Sequence, residues 1–297
     1  MKKHSHSELL GRHLTEPLKP EPTGAKAVLG KLPDIRAVIF DIYGTLFVSG
    51  SGDIGVSAAQ NKAQSMLAAL GRAGIHSSEE KGELLASLFL QYIQKAQDVL
   101  RDRGVQFPEV EIREVWRDFL QTVLSSELAE GGMPDDEGIE ALAIEYECLV
   151  NPVWPMPGLG DCLASLHESH LLTGIVSNAQ FFTPPLFECF LGRSVEELDF
   201  EPSCTIYSYV LREAKPSQQL FELLEAGLRE HGFKPGQALY IGNDMRNDIA
   251  PAAALGFKTC LFAGDKRSLR LREGDPIAQG VKPDRIITEL RQIEEIV

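Results

Sequence analysis

The sequence is short of cysteine, of positive charge and of long apolar runs. Its five cysteines, at 148, 162, 189, 204 and 260, are scattered, with no Cys-x-x-Cys pair. That excludes a disulfide frame and a zinc site of paired cysteines, and points to reduced thiols in an intracellular protein. No apolar run approaches the length of a bilayer span and the N-terminus lacks a signal-peptide core, so no membrane partner is expected and the chain reads as cytoplasmic. Lys and Arg total 29 against 43 Asp and Glu, a formal net charge of −14. So acidic a chain is a poor partner for nucleic acid, and a small anionic substrate would need a local positive site or a cation. What the chain does have is length and apolar content: its 297 residues, 43% of them hydrophobic, suffice for a sizeable core in one large domain or two smaller ones.

Residues 1–34 are rich in Lys, His, Pro and Glu, broken only by short Leu-containing patches. A loosely ordered N-terminal arm is expected there, with His4 and His6 as exposed arm residues rather than metal ligands. From residue 36 the pattern changes. Short runs rich in β-formers lie at 36–40, 171–176, 205–210, 238–241 and 259–262, with a weaker one at 285–287. Helical patterns at 217–231 and 248–255 separate the later runs, the second stopped by Gly256. Strand alternating with helix predicts an α/β fold of parallel strands with helices on both faces.

Residues 56–150 break that alternation with four successive helical patterns, near 56–73, 78–103, 109–130 and 136–149. Ser77 and Glu80 have capping-box spacing, Gly104 ends the second pattern and Pro108 opens the third. Leu84, Leu85, Leu88, Phe89, Tyr92 and Ile93 form an apolar stripe suited to packing against a neighbouring helix. The turn from Trp154 to Gly158 marks the return to α/β alternation. The expected division is an arm (1–34), an α/β core (35–50 and 155–297) and an inserted helical domain (51–154).

Ligands of open parallel sheets bind beyond the carboxyl ends of the strands, so the polar residues that follow each run are the candidates. The stretch AVIFDIYGTLFVSG puts Asp41 at the tip of the first run, followed at once by Tyr43, Gly44 and Thr45. Ser177 and Asn178 follow the second run, Lys215 the third, and Asn243, Asp244, Asn247 and Asp248 the fourth. Ser177, Asn178, Asn247 and Asp248 also suit plain helix capping. Lys215 is harder to explain that way, because a helix start disfavours a cation unless an anion stands beside it. A carboxylate capping a buried strand, as Asp41 does, likewise needs a partner. Carboxylates, a lysine and a hydroxyl at one sheet edge fit a metal-assisted phosphate site, the cation most plausibly magnesium given all-oxygen ligands.

In this order the four segments resemble the four motifs of the haloacid dehalogenase superfamily, over residues 36 to about 290. The resemblance implies a Rossmann-like parallel sheet core with an inserted all-helical cap, and a hydrolase that works through a covalent aspartyl intermediate. It further implies that Asp41 is the nucleophile, that Ser177 and Lys215 stabilise it and the transferring group, and that Tyr43, Gly44, Thr45 and Asn178 line the substrate loop. Magnesium would be held by Asp41, the backbone carbonyl of Tyr43, Asn243, Asp244 and Asp248.

Two positions depart from the pattern of the superfamily's phosphatases. Where those enzymes carry an acid–base Asp two residues after the nucleophile, this chain has Tyr43, as in the superfamily's 2-haloacid dehalogenases. A halide leaves without a proton, whereas an alkoxide wants one, and a positioned acid contributes about 10²- to 10⁴-fold in rate. Where the fourth motif usually reads Gly-Asp, this chain reads Gly242-Asn243. That segment, GNDMRND, is nonetheless closer to the metal-binding form than to the metal-free one of the dehalogenases. Arg72 is a loose candidate for a haloacid-binding arginine, and His76 and Asp53 for an acid supplied by the insertion. The expected function is a magnesium-dependent phosphatase acting on a small phosphorylated substrate. The alternatives are a metal-independent 2-haloacid hydrolase and a non-catalytic binding protein on the same fold.

Overall fold

The structure, a computed structural model, describes residues 5–50 and 59–297; His4 and Asp53 lie outside them. The chain opens with α1 (His6–His13), then β1 (Ala37–Phe40) and β2 (Phe47–Ser49). Four helices follow: α2 (Ala59–Arg72), α3 (Gly82–Asp102), α4 (Ile112–Ser125) and α5 (Asp136–Val150). Then come β3 (Val153–Pro155), α6 (Leu159–Glu168), β4 (Leu172–Ser177), α7 (Pro185–Leu191), β5 (Phe200–Tyr207), α8 (Ser208–Leu211) and α9 (Gln218–Glu230). The last elements are β6 (Ala238–Gly242), α10 (Ala250–Ala254), β7 (Lys258–Phe262) and β8 (Arg285–Ile287).

Six strands form one sheet in the order β5-β4-β1-β6-β7-β8, parallel throughout. β1 is central, and all four of its residues, Ala-Val-Ile-Phe, are buried, as a strand covered on both faces requires. Leu220, Phe221, Leu224 and Leu228 of α9 pack with Ile39 and Tyr240 in one apolar cluster, while Val38, Phe40 and Ile241 belong to another with Leu159 and Leu163 of α6. The register pairs Phe40 with Ile175 on one side and with Ile241 on the other. The C-terminal ends of β4, β1 and β6 therefore emerge side by side where the strand order reverses, which is where such sheets bind ligands.

β2 pairs antiparallel with β3, Val48 opposite Trp154, so the chain leaves for α2–α5 and returns from them along one short ribbon. Those helices share a core in which the ring of Phe89 lies 4.1 Å from that of Trp116 and 5.3 Å from that of Phe119. Two local expectations fail. The capping box does not form, because Ser77 Oγ donates to Leu128 O at 2.7 Å and α3 begins only at Gly82. In the apolar stripe, Leu85 and Phe89 are buried but Leu84 points outward, 51% exposed.

The arm is not loose where it is described. Ser5 and Glu8 cap α1 reciprocally, Leu10 and Leu14 are buried, and α1 packs on both α5 and α7. Further on, Val28 bridges to Ile286 and buried Leu32 donates its N–H to Ile296 O at 2.7 Å. The leucine patches that interrupt the polar composition supply this docking. Two core segments also differ from expectation: residues 208–211 turn into α8 rather than continuing the strand, and residues 248–255 divide into a π-helical turn (Met245–Ile249) and α10.

Candidate active site

β1 delivers Asp41 to the mouth of the sheet, where it is 6% exposed. Its Oδ1 accepts two hydrogen bonds, from Ser177 Oγ at the end of β4 at 3.0 Å and from Lys215 Nζ at 2.7 Å. Lys215 Nζ also donates to Asp248 Oδ1 at 2.6 Å, to Tyr240 Oη at 3.1 Å and to Val176 O at 3.1 Å. Burial alone would pull the ammonium down, but Asp248 and Asp41 together raise its pKa, so Lys215 stays charged between them. Asp248 is pushed up to about 7, chiefly by burial, with the charges of Asp41 and Asp244 adding to the effect of burial and Lys215 opposing it.

Two glycines make the arrangement possible. A Cβ on Gly242 would lie 2.4–2.5 Å from the side-chain atoms of Asp248, so only glycine lets that carboxylate reach back to the sheet. Gly44, at φ +85°, would clash in the same way with Asn243 and Ser268. Beside it, Thr45 Oγ1 donates to Asn243 Oδ1 at 3.3 Å, and Asn243 Nδ2 donates to Ser268 O at 2.6 Å.

The remaining sequence candidates have different surroundings. Asn178 lines the cavity, but its amide holds the Lys215 backbone, accepting from Lys215 N at 2.7 Å and donating to Lys215 O at 3.4 Å. Asp244 also lines it, yet its carboxylate accepts from Arg272 Nη2 at 2.6 Å and from the backbone N–H groups of Arg246 at 2.8 Å and Asn247 at 3.2 Å. The Tyr43 hydroxyl lies 2.9 Å from Thr183 Oγ1. Burial first, and then the charges of Glu147, Cys148 and Asp41, push the phenol far above its ordinary range. Arg72 lies outside the cavity in an ion pair with Glu145 at 2.5 Å, and exposed His76 pairs through its backbone with Glu130.

Asp41, Lys215 and Asp248 open into a cavity of about 630 Å³, a size suited to a small organic ligand. The insertion supplies its other wall, including Leu90, Ile93, Ile112, Glu109 and Glu147. Gln180, just after β4, seals the seam: its Nε2 donates to Val110 O at 2.8 Å and its Oε1 accepts from Ile112 N at 3.1 Å. Gln180, Glu109, Glu147, Arg270 and Tyr240 were not among the sequence candidates. Only Tyr240, a polar residue inside a buried strand, carried a signal that reading could have used.

The donor chemistry fits a hard cation. No histidine or cysteine lines the cavity among the described residues, and Asp41, Asn243 and Asp248 offer oxygen. Nor, among those residues, do any three His, Cys, Asp or Glu side chains converge tightly enough to hold a metal by themselves. A cation here would therefore rest on few carboxylates, with neutral oxygens, water or ligand completing its shell, which is usual for magnesium.

Residues 35–256 match the family model of the haloacid dehalogenase-like hydrolases. The chain belongs to that family. The hydrolase is also similar to the phosphoglycolate phosphatases of Salmonella paratyphi A and Salmonella typhi, each 29% identical over 235 residues, or 77% of this chain and 81% of theirs. Among solved structures it is similar in fold to a 2-haloacid dehalogenase from Pseudomonas syringae pv. Tomato, at a TM-score of 0.54 and 19% identity over 88% of this chain and 97% of that one. It is likewise similar in fold to a defluorinating L-2-haloacid dehalogenase, at 0.51 and 17% over 94% and 98%. Among the described residues no helix is long and apolar enough to cross a membrane.

Proposed function

We propose that this hydrolase is a magnesium-dependent phosphatase that cleaves a small phosphorylated substrate through an aspartyl phosphate on Asp41. The carrying observation is the charge balance of the buried cluster. Lys215 brings one positive charge, Asp41 one negative charge and Asp248, pushed up to about 7, a further partial negative charge near neutrality, all three within 2.7 Å contacts and buried. Asp244 adds little to this sum, because it is paired with Arg272 at 2.6 Å. An anionic phosphoester approaching a cluster with net negative charge is repelled unless a cation enters with it. The likeness to phosphoglycolate phosphatases supports the same reading.

Asp41 and Asn243, with the main-chain carbonyl of Tyr43, would hold magnesium, which when bound screens the phosphate charge and polarises the phosphoryl group. Lys215 and Ser177 both hold Oδ1 of Asp41, which leaves Oδ2 to attack phosphorus. Asn178 fixes the backbone of Lys215 and so positions its ammonium. Helices α2–α5 serve as a cap whose apolar side chains exclude water and choose the substrate.

A panel of small phosphoesters tests this reading: phosphate release that needs magnesium and stops with EDTA supports it. The second reading, metal-independent 2-haloacid hydrolysis, is favoured by Tyr43, whose buried phenol cannot act as an acid near neutrality. Halide release from 2-chloropropionate in EDTA would replace the first reading with the second.

A further inference from the structure

Cleaving an alkyl phosphate leaves an alkoxide, and the residue two places after the nucleophile cannot protonate it. Two carboxyl groups from the helical insertion, Glu109 and Glu147, line the same cavity as Asp41. They are held very differently. Glu109 accepts from Val110 N at 3.0 Å, Gln180 Nε2 at 3.2 Å and Ser208 Oγ at 2.9 Å, so both of its oxygens are already occupied by donors from the protein.

Glu147, on the last turn of α5, accepts one hydrogen bond among the described residues, from Asn151 Nδ2 at 3.0 Å. Asn151 is buried and is fixed from its other end by Ser49 Oγ, which donates to Asn151 Oδ1 at 2.7 Å. Ser49 ends β2 and Asn151 immediately precedes the Pro152–Val153 start of the return strand. The carboxyl group is thus anchored at the ribbon joining insertion to core, not on the far helices. Tyr43 lines the cavity together with Asp41 and Glu147, and the charge of Glu147 is the largest of those acting on its phenol. The other Glu147 oxygen, Oε2, takes no hydrogen bond among the described residues, which leaves it for a ligand.

We infer that Glu147 is the proton donor to the leaving group in phosphoester cleavage, doing from the insertion what position 43 cannot do from the core. This rests on the phosphatase reading above. In the first step an Asp41 oxygen forms a bond to phosphorus and the bond from phosphorus to the ester oxygen breaks. That oxygen keeps the electron pair and takes the Glu147 proton, which releases an alcohol and leaves Glu147 as a carboxylate. In the second step water attacks phosphorus, the bond to Asp41 breaks, and Glu147 takes the proton from water, restoring both side chains and releasing phosphate. Burial pushes the Glu147 pKa up to about 7, so both forms are accessible near neutrality.

Wild type and Glu147→Gln are compared with magnesium on an alkyl phosphate, which needs leaving-group protonation, and on p-nitrophenyl phosphate, which does not. The variant should lose on the order of 10²- to 10⁴-fold in kcat/KM, which reports the first step, on the alkyl ester and little of it on the nitrophenyl ester, while kcat falls on both because the second step loses its base. Unchanged kcat/KM on the alkyl ester, or equal losses of kcat/KM on the two esters, overturns the proposal. Should the variant not fold, wild type decides: across aryl phosphates of rising leaving-group pKa, kcat/KM should fall shallowly, and a steep fall overturns the assignment. No phosphate release by wild type from any ester is a different result, the failure of the phosphatase reading itself.

Discussion

Lys215 Nζ lies 2.7 Å from Asp41 Oδ1, with both side chains almost completely removed from water. A buried pair of this kind is strongly destabilised when one partner is removed, by about 3–5 kcal/mol, because the other charge is left without compensation. Lys215→Met should lower the unfolding free energy by that order in urea titration and abolish turnover. A loss below about 1 kcal/mol, the level of a solvated surface pair, would contradict the buried geometry.

The two buried carboxyl groups of the helical insertion predict a pH dependence of stability. Glu109 and Glu147 are each raised from 4.5 to about 7 by burial. Between those values the folded state binds more protons than the unfolded state, so stability is fullest below 4.5 and falls as pH rises through 7. Glu147→Gln removes one of these groups. It should raise the melting temperature relative to wild type at about pH 8, by the equivalent of roughly 1–3 kcal/mol, and much less at about pH 5. Parallel melting curves for the two proteins at both pH values would show that Glu147 is not buried as described.

The docked arm gives a third expectation. Leu10 is 2% exposed within a core cluster that also contains Phe187 of α7 and Cys148 of α5. Leu10→Ala should cost about 2–5 kcal/mol in chemical denaturation, as for other buried leucines. A cost of a few tenths of a kcal/mol would restore the loosely ordered arm that composition suggested.

That contrast shows what the sequence made legible. β1, β4 and β6 are covered on both faces, so their residues form short unbroken apolar runs, and the polar residues that end them stand out. Asp41, Ser177 and Asp248 were accessible in this way, and Lys215 as a cation at a helix start; the structure brings the four together. The surroundings of Asp244 were not, because its partner Arg272 lies 28 residues on in a segment without periodic pattern. Glu147 was hidden too: on a helix pattern it reads as one more solvated acid, and only the structure shows it buried at the cavity and held by Asn151. The arm was misread because its few leucines are outnumbered by charges, although three of them, Leu10, Leu14 and Leu32, do the burying.

The most direct measurement of the central claim is mass spectrometry of the Asp41 peptide after acid quench of turnover on an excess of phosphoester with magnesium. The account predicts a phosphoryl group on the Asp41 carboxylate, and neither the adduct nor phosphate release in a folded Asp41→Asn variant. Undiminished phosphate release by that variant would contradict it.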